Sequence, residues 1–109
     1  MPTYYHDGVN PPALPPKDPD SDEWFGLDYS LIDSETILFS SWLIDDVPVV
    51  NDGDAVNGLV FKGAIIDPKR TRVRLAGGVL GREYRITNRY GTSLTPTDDK
   101  SFTFLIANL

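Results

Sequence analysis

The sequence predicts an all-β fold, an antiparallel β-sandwich carried behind an extended N-terminal arm. Three observations point to it. From residue 36 onward, runs of Val, Ile, Thr, Phe and Tyr alternate apolar with polar residues, the period of a strand with one buried face. The runs are short and are broken roughly every 8–12 residues by Gly, Asp, Asn and Pro, the spacing of a sandwich or small barrel. Five prolines within residues 11–19 mark off the arm.

The arm spans residues 1–23 and the domain residues 24–109. The stretch "NPPALPPKDPDSDE" carries Pro11, Pro12, Pro15, Pro16 and Pro19. Proline fixes φ, lacks an N–H and holds the preceding residue extended, so this segment reads as polyproline II or extended coil. At ~3.1 Å per residue, its first 22 residues reach roughly 65 Å. Tyr4, Tyr5, Leu14, Trp24 and Phe25 lie along it or at its end. On a segment too polar to fold alone, such residues read as anchors for a partner's groove.

The domain is a series of strands. "TILFSSWLI" (36–44) is β-branched and aromatic, and Asp45-Asp46 closes it. "GLVFKGAII" (58–66) is closed by Asp67-Pro68. "RTRVRL" (70–75) sets Thr71, Val73 and Leu75 against Arg70, Arg72 and Arg74. "REYRITNRY" (82–90) sets Tyr84, Ile86 and Asn88 against Arg85, Thr87 and Arg89. "SFTFLIA" (101–107) places Phe102, Phe104 and Ile106 on one face. The nearest helix candidate, "LDYSLIDSE", is short and rich in Asp and Ser. The expected core is Ile37, Phe39, Trp42, Leu59, Phe61, Ile65, Val73, Leu75, Tyr84, Ile86, Phe102, Phe104 and Ile106. About 85 residues and this strand count suit an immunoglobulin-like sandwich, with Tyr84 placed as its tyrosine corner. A domain this small buries only about 60–65% of its unfolded surface, so a subunit interface would add stability.

Charge narrows the function. Residues 1–54 carry twelve acids and one base, Lys17; residues 55–109 carry four acids and nine bases. The halves are therefore −11 and +5, which sum to the net −6. The acidic total excludes a general nucleic-acid binder. The polarity either joins neighbouring copies or is satisfied where acidic strands lie beside basic ones. Arg85 and Arg89, on the outer face, either meet water or meet a partner. No apolar run approaches the roughly 20 residues that a membrane-spanning helix needs, so no membrane partner is expected.

Catalytic chemistry has little to work with. The one histidine, His6, is in the arm, and cysteine is absent. Neither Ser40 nor Ser41 has a base near it in sequence. Asp18, Asp20 and Asp22, and Asp52 with Asp54, alternate like calcium ligands. They lack the glycine and glutamate positions of a calcium loop and read as solvated turn acids. Pro12-x-x-Pro15-x-Lys17 fits a proline-rich ligand only at the level any such arm does.

"LDYS", "ETILFSSWLI", "VRLAGGVLGREYRITNRYGTS" and "SFTFLIA" together resemble a group of small structural proteins of tailed bacteriophages. The residues that carry the resemblance are Asp28, Tyr29, Thr36, Ile37, Ser40, Trp42, Gly77, Gly78, Gly81, Tyr84, Asn88 and Thr92, over about residues 28–107. The resemblance implies an immunoglobulin-like virion module that is not an enzyme, with no cofactor and no metal. Its partners would be other virion proteins of capsid, neck or tail and fibre, in multiple copies of a symmetric assembly put together in the host cytoplasm. The alternative is a stand-alone adhesion module recognising a host glycan or protein. Loops of Gly, Asp, Asn and Pro rather than aromatics favour the virion subunit. A chain running from Met1 to a final strand reads as complete, which weighs against an enzyme accessory domain.

Overall fold

A computed structural model describes residues 3–6, 16–28 and 34–108. None of these residues is helical. They form strands β1 (Thr3–His6), β2 (Asp22–Asp28), β3 (Ile37–Ile44), β4 (Val47–Val49), β5 (Ala55–Val56), β6 (Leu59–Ile66), β7 (Arg70–Gly77), β8 (Glu83–Thr92) and β9 (Asp98–Leu105). One sheet has the order β1-β2-β7-β6-β5 and the other β4-β3-β8-β9. The β1–β2 pair is parallel; every other pair is antiparallel.

The sheets close over one apolar core, to which both contribute alternate residues. Phe25 and Leu27 of β2, Leu59 and Phe61 of β6 and Val73 and Leu75 of β7 come from one side. Trp42 and Ile44 of β3, Val49 of β4, Tyr84 and Ile86 of β8 and Phe102 and Phe104 of β9 come from the other. Phe25 stacks on Phe104 with centroids 4.9 Å apart, and Trp42 meets the edge of Phe102 at 6.5 Å. The Phe25–Phe104 stack runs from sheet to sheet and fixes how the two pack, while Trp42–Phe102 lies within the β4-β3-β8-β9 sheet.

Two tight hairpins follow from local chemistry. Asp45 and Asp46 join β3 to β4 with φ of 47° and 66°, and Asn57-Gly58 joins β5 to β6 with φ of 52° and 88°. Positive φ at both central residues matches the twist of the flanking strands, and Asn and Asp tolerate it better than other side chains.

Two expected core residues face outward, and both corrections have one cause. Phe39 is 45% exposed and Ile65 39% exposed. The β3–β8 register slips between Ile37 and Phe39, and the β6–β7 register slips between Phe61 and Gly63. A bulge inserts one residue, and one residue reverses the face of everything after it. Burial therefore passes from Ile37 to Trp42 and Ile44 within β3. The other eleven expected core residues are buried, and Phe25, Leu27, Ile44 and Val49 join them.

The expected arm–domain boundary at 23/24 falls inside β2. Lys17 also belongs to the sandwich: its N–H donates to the Leu105 carbonyl and its carbonyl accepts from the Ala107 N–H, both at 2.9 Å. The sandwich therefore begins by residue 17.

Candidate interaction surfaces

The acidic and basic halves of the sequence meet across strands. Acidic β2 lies antiparallel to basic β7, with Asp28 opposite Arg70. Arg74 grips Asp22 through two hydrogen bonds of 2.8 and 2.7 Å, and Arg70 reaches Asp28 at 3.2 Å. The Arg74 guanidinium holds the Asp22 carboxyl below its ordinary range. Arg72 sits over the Trp24 ring at 5.6 Å and lies 3.6 Å from Asp67. The polarity of the chain is thus answered within one molecule, and these exposed pairs each contribute only about 0–1 kcal/mol.

The arginines of β8 divide. Arg89 stands opposite Asp99 of β9 and binds both its oxygens, at 3.0 and 3.1 Å. Among the described residues, the Arg85 guanidinium comes no nearer to an acid than 4.0 Å from Asp46, and its side chain is 57% exposed. Between them Thr87 and Ser101 share a hydrogen bond of 2.8 Å. Arg85 and Arg89 are exposed on this face while Thr87 between them is buried, and Arg85 is the less committed of the two cations.

The other expected anchors are spread. Tyr4 and Tyr5 lie in β1, in register with Phe25 and Gly26 of β2. Leu14 lies outside the described residues. Trp24 is half-buried beneath Arg72. Phe25 is 1% exposed, so it is a core residue and not an accessible anchor. Its neighbour along the strand faces the opposite way, as strand geometry requires.

Two buried polar groups escaped the sequence reading. Lys17 is fully buried, and its ammonium donates to the carbonyl oxygens of Asp18, Ser21 and Gly77 at 2.9, 2.7 and 2.8 Å. Burial draws its pKa below the ordinary lysine value, against the opposing pull of Glu23 and Asp18. Asn88, also fully buried, links the sheets: its Oδ1 accepts from Thr71 of β7, and its Nδ2 donates to Ser40 Oγ and the Ser41 carbonyl of β3. The inward parity of Asn88 was its only sequence signal; nothing near Lys17 announced its burial. The buried Tyr84 hydroxyl donates to the Asn57 carbonyl at 2.6 Å and accepts from the Val79 N–H at 3.0 Å, tying β8 to the turns at 57 and 79.

The turn acids serve the backbone. Asp54 Oδ2 accepts the N–H groups of Val50 and Asn51, both at 2.9 Å, which lowers its pKa. Asp18 Oδ1 accepts the Asp20 N–H at 2.8 Å. Among the described residues, no group of three or more His, Cys, Asp or Glu side chains converges on a metal-sized site.

A cleft of about 260 Å³ opens between the sheets on one side, lined by Ser40 and Trp42 of β3, Val49 of β4, and Phe61 and Ala64 of β6. Trp42 Nε1 is buried there with no hydrogen-bond partner among the described residues.

A model of the family described as podophage GP4 fiber-tail adaptor protein gp77 matches residues 17–105. The match starts at the buried lysine and runs to the last residue of β9. No curated protein matches the chain.

Proposed function

This chain belongs to the podophage GP4 fiber-tail adaptor protein gp77 family, which makes it a structural component of a tailed-phage virion, and we propose that it joins fibre to tail without catalysing any reaction. The observation that carries this reading is the reach of the family match over eight of the nine described strands, β2 to β9. An adaptor needs a rigid body and two attachment surfaces. The aromatic core and the Asn88 link supply the rigid body. The attachment surfaces are the N-terminal segment, with Tyr4, Tyr5, Leu14 and Trp24 as anchors, and the β8–β9 face around Arg85 and Arg89.

We read the domain as immunoglobulin-like. That reading is supported by the order β1-β2-β7-β6 against β3-β8-β9, which corresponds to strands ABED against CFG, with β4 added beside β3. The parallel β1–β2 pair is a departure from that pattern.

A truncation tests the attachment. Deleting residues 1–15 spares Lys17 and β2. The truncated chain should keep a cooperative unfolding transition and fail to enter particles. Incorporation at the level of the full chain would remove the N-terminal segment from the attachment.

A further inference from the structure

One edge of the sandwich is half covered. β5 pairs only with Leu59 and Val60 of β6, and the 51–54 turn adds backbone hydrogen bonds at Phe61. Beyond it, Gly63, Ala64, Ile65 and Ile66 pair with β7 on one side and, among the described residues, with no strand on the other. Ile65 and Ile66 are 39% and 44% exposed. Free edges are usually guarded by charge, proline or brevity. The free side of β9 carries Asp98, Asp99 and Lys100, whereas this four-residue stretch of β6 carries no charge at all.

We propose that this edge pairs with the same edge of a second copy, antiparallel about a twofold axis at Ile65. The edge is complementary to itself. Its uncharged stretch is bounded by Lys62 at the start and Asp67 at the end. The β6–β7 register sets Gly63 against Arg74 and Ile65 against Arg72 on the outer face, and Ala64 against Val73 and Ile66 against Thr71 on the inner face. The bulge leaves Lys62 beside Gly63 on the outer face, where it reaches Asp52 at 3.5 Å. Directly opposed residues of an antiparallel pair point to the same face. With Ile65 against the partner's Ile65, Ala64 meets the partner's Ile66, small against large. Lys62 and Gly63 meet the partner's Asp67, cation against anion. Both matches occur twice, as a twofold interface requires. A parallel docking, or one shifted by one residue, opposes inner with outer side chains or like with like. The pairing rests on this edge and not on the family reading, and an adaptor present in several copies would use it to hold neighbours together.

Sedimentation of the full chain over a concentration series tests the pairing. A reversible monomer–dimer equilibrium is expected, and a chain that stays monomeric up to about millimolar concentration overturns the proposal. Ile65→Lys sets two like charges together at the axis and should abolish the dimer; a dimer unaffected by it lies elsewhere. Lys62→Asp and Asp67→Lys should each raise the dissociation constant about tenfold, since each turns two attractive pairs into repulsive ones. Mixed in equal amounts, the two variants should form a heterodimer about as tight as the wild-type dimer, because every cross-pair is then of opposite sign. Failure of the mixture to recover overturns the register even if either variant is less stable.

Discussion

At the residue scale, the most consequential side chain is the one least expected to matter. Lys17 sits in a proline-rich, acidic stretch and yet is buried with three carbonyl partners. Three donors and three acceptors leave the ammonium satisfied, which is what makes a buried charge tolerable. Lys17→Met keeps the length of the side chain and removes the donors. It should cost about 3 kcal/mol or more, because buried carbonyls are left unpaired. Denaturant unfolding measures this; a loss within about 0.5 kcal/mol would mean that these carbonyls find water instead.

Tyr90 provides a pH handle. It is 5% exposed, and burial with Asp98 beside it pushes its phenol from 10.0 up to about 12. The unfolded chain therefore loses this proton first. The contribution of Tyr90 is fully present below pH 10 and is lost as pH rises towards 12. Unfolding free energies measured across that window should fall, and Tyr90→Phe should make the fall shallower. An equal slope in both proteins would assign the alkaline loss to other groups.

At the scale of elements, five strands are legible in the sequence, β7, β8 and β9 by their alternation and β3 and β6 by β-branched and aromatic runs closed by turn residues. β6 and β3 are also where the inward residues were misjudged, since a bulge adds a residue without any break in composition. Gly63, with φ of 129°, was the available sign of the one in β6, since glycine inside a strand pattern often marks a bulge. β2 was hidden because Trp24 and Phe25 adjoin the proline-rich stretch and were read with it; only register with β7 separates the buried Phe25 from the half-buried Trp24. The arginine pairings were out of reach for the same reason, because residues such as Arg74 and Asp22 are brought together by register alone. The β5–β6 hairpin had a plain signal in Asn57-Gly58. Asn57→Val places a β-branched residue at φ 52° and should cost about 1–2 kcal/mol, read as a lowered melting temperature. An unchanged transition would show that the turn relaxes without loss.

At the scale of the molecule, segregated charge produces a neutralised body and not a sticky one. Acidic β2 against basic β7, and Arg89 against Asp99, cancel the polarity that the sequence displays. What remains for assembly are the N-terminal segment, the lightly held Arg85 and the bare edge of β6. The family match makes the chain a structural phage subunit, and for the proposed task of joining fibre to tail the sandwich provides a short, stiff link. The central claim is joining, and fibre occupancy on particles assembled without this protein tests it most directly. Imaging of such particles should show tails present and fibres missing, with fibres restored when the protein is added back. Fibres in place at normal occupancy on tails that lack it would contradict the account.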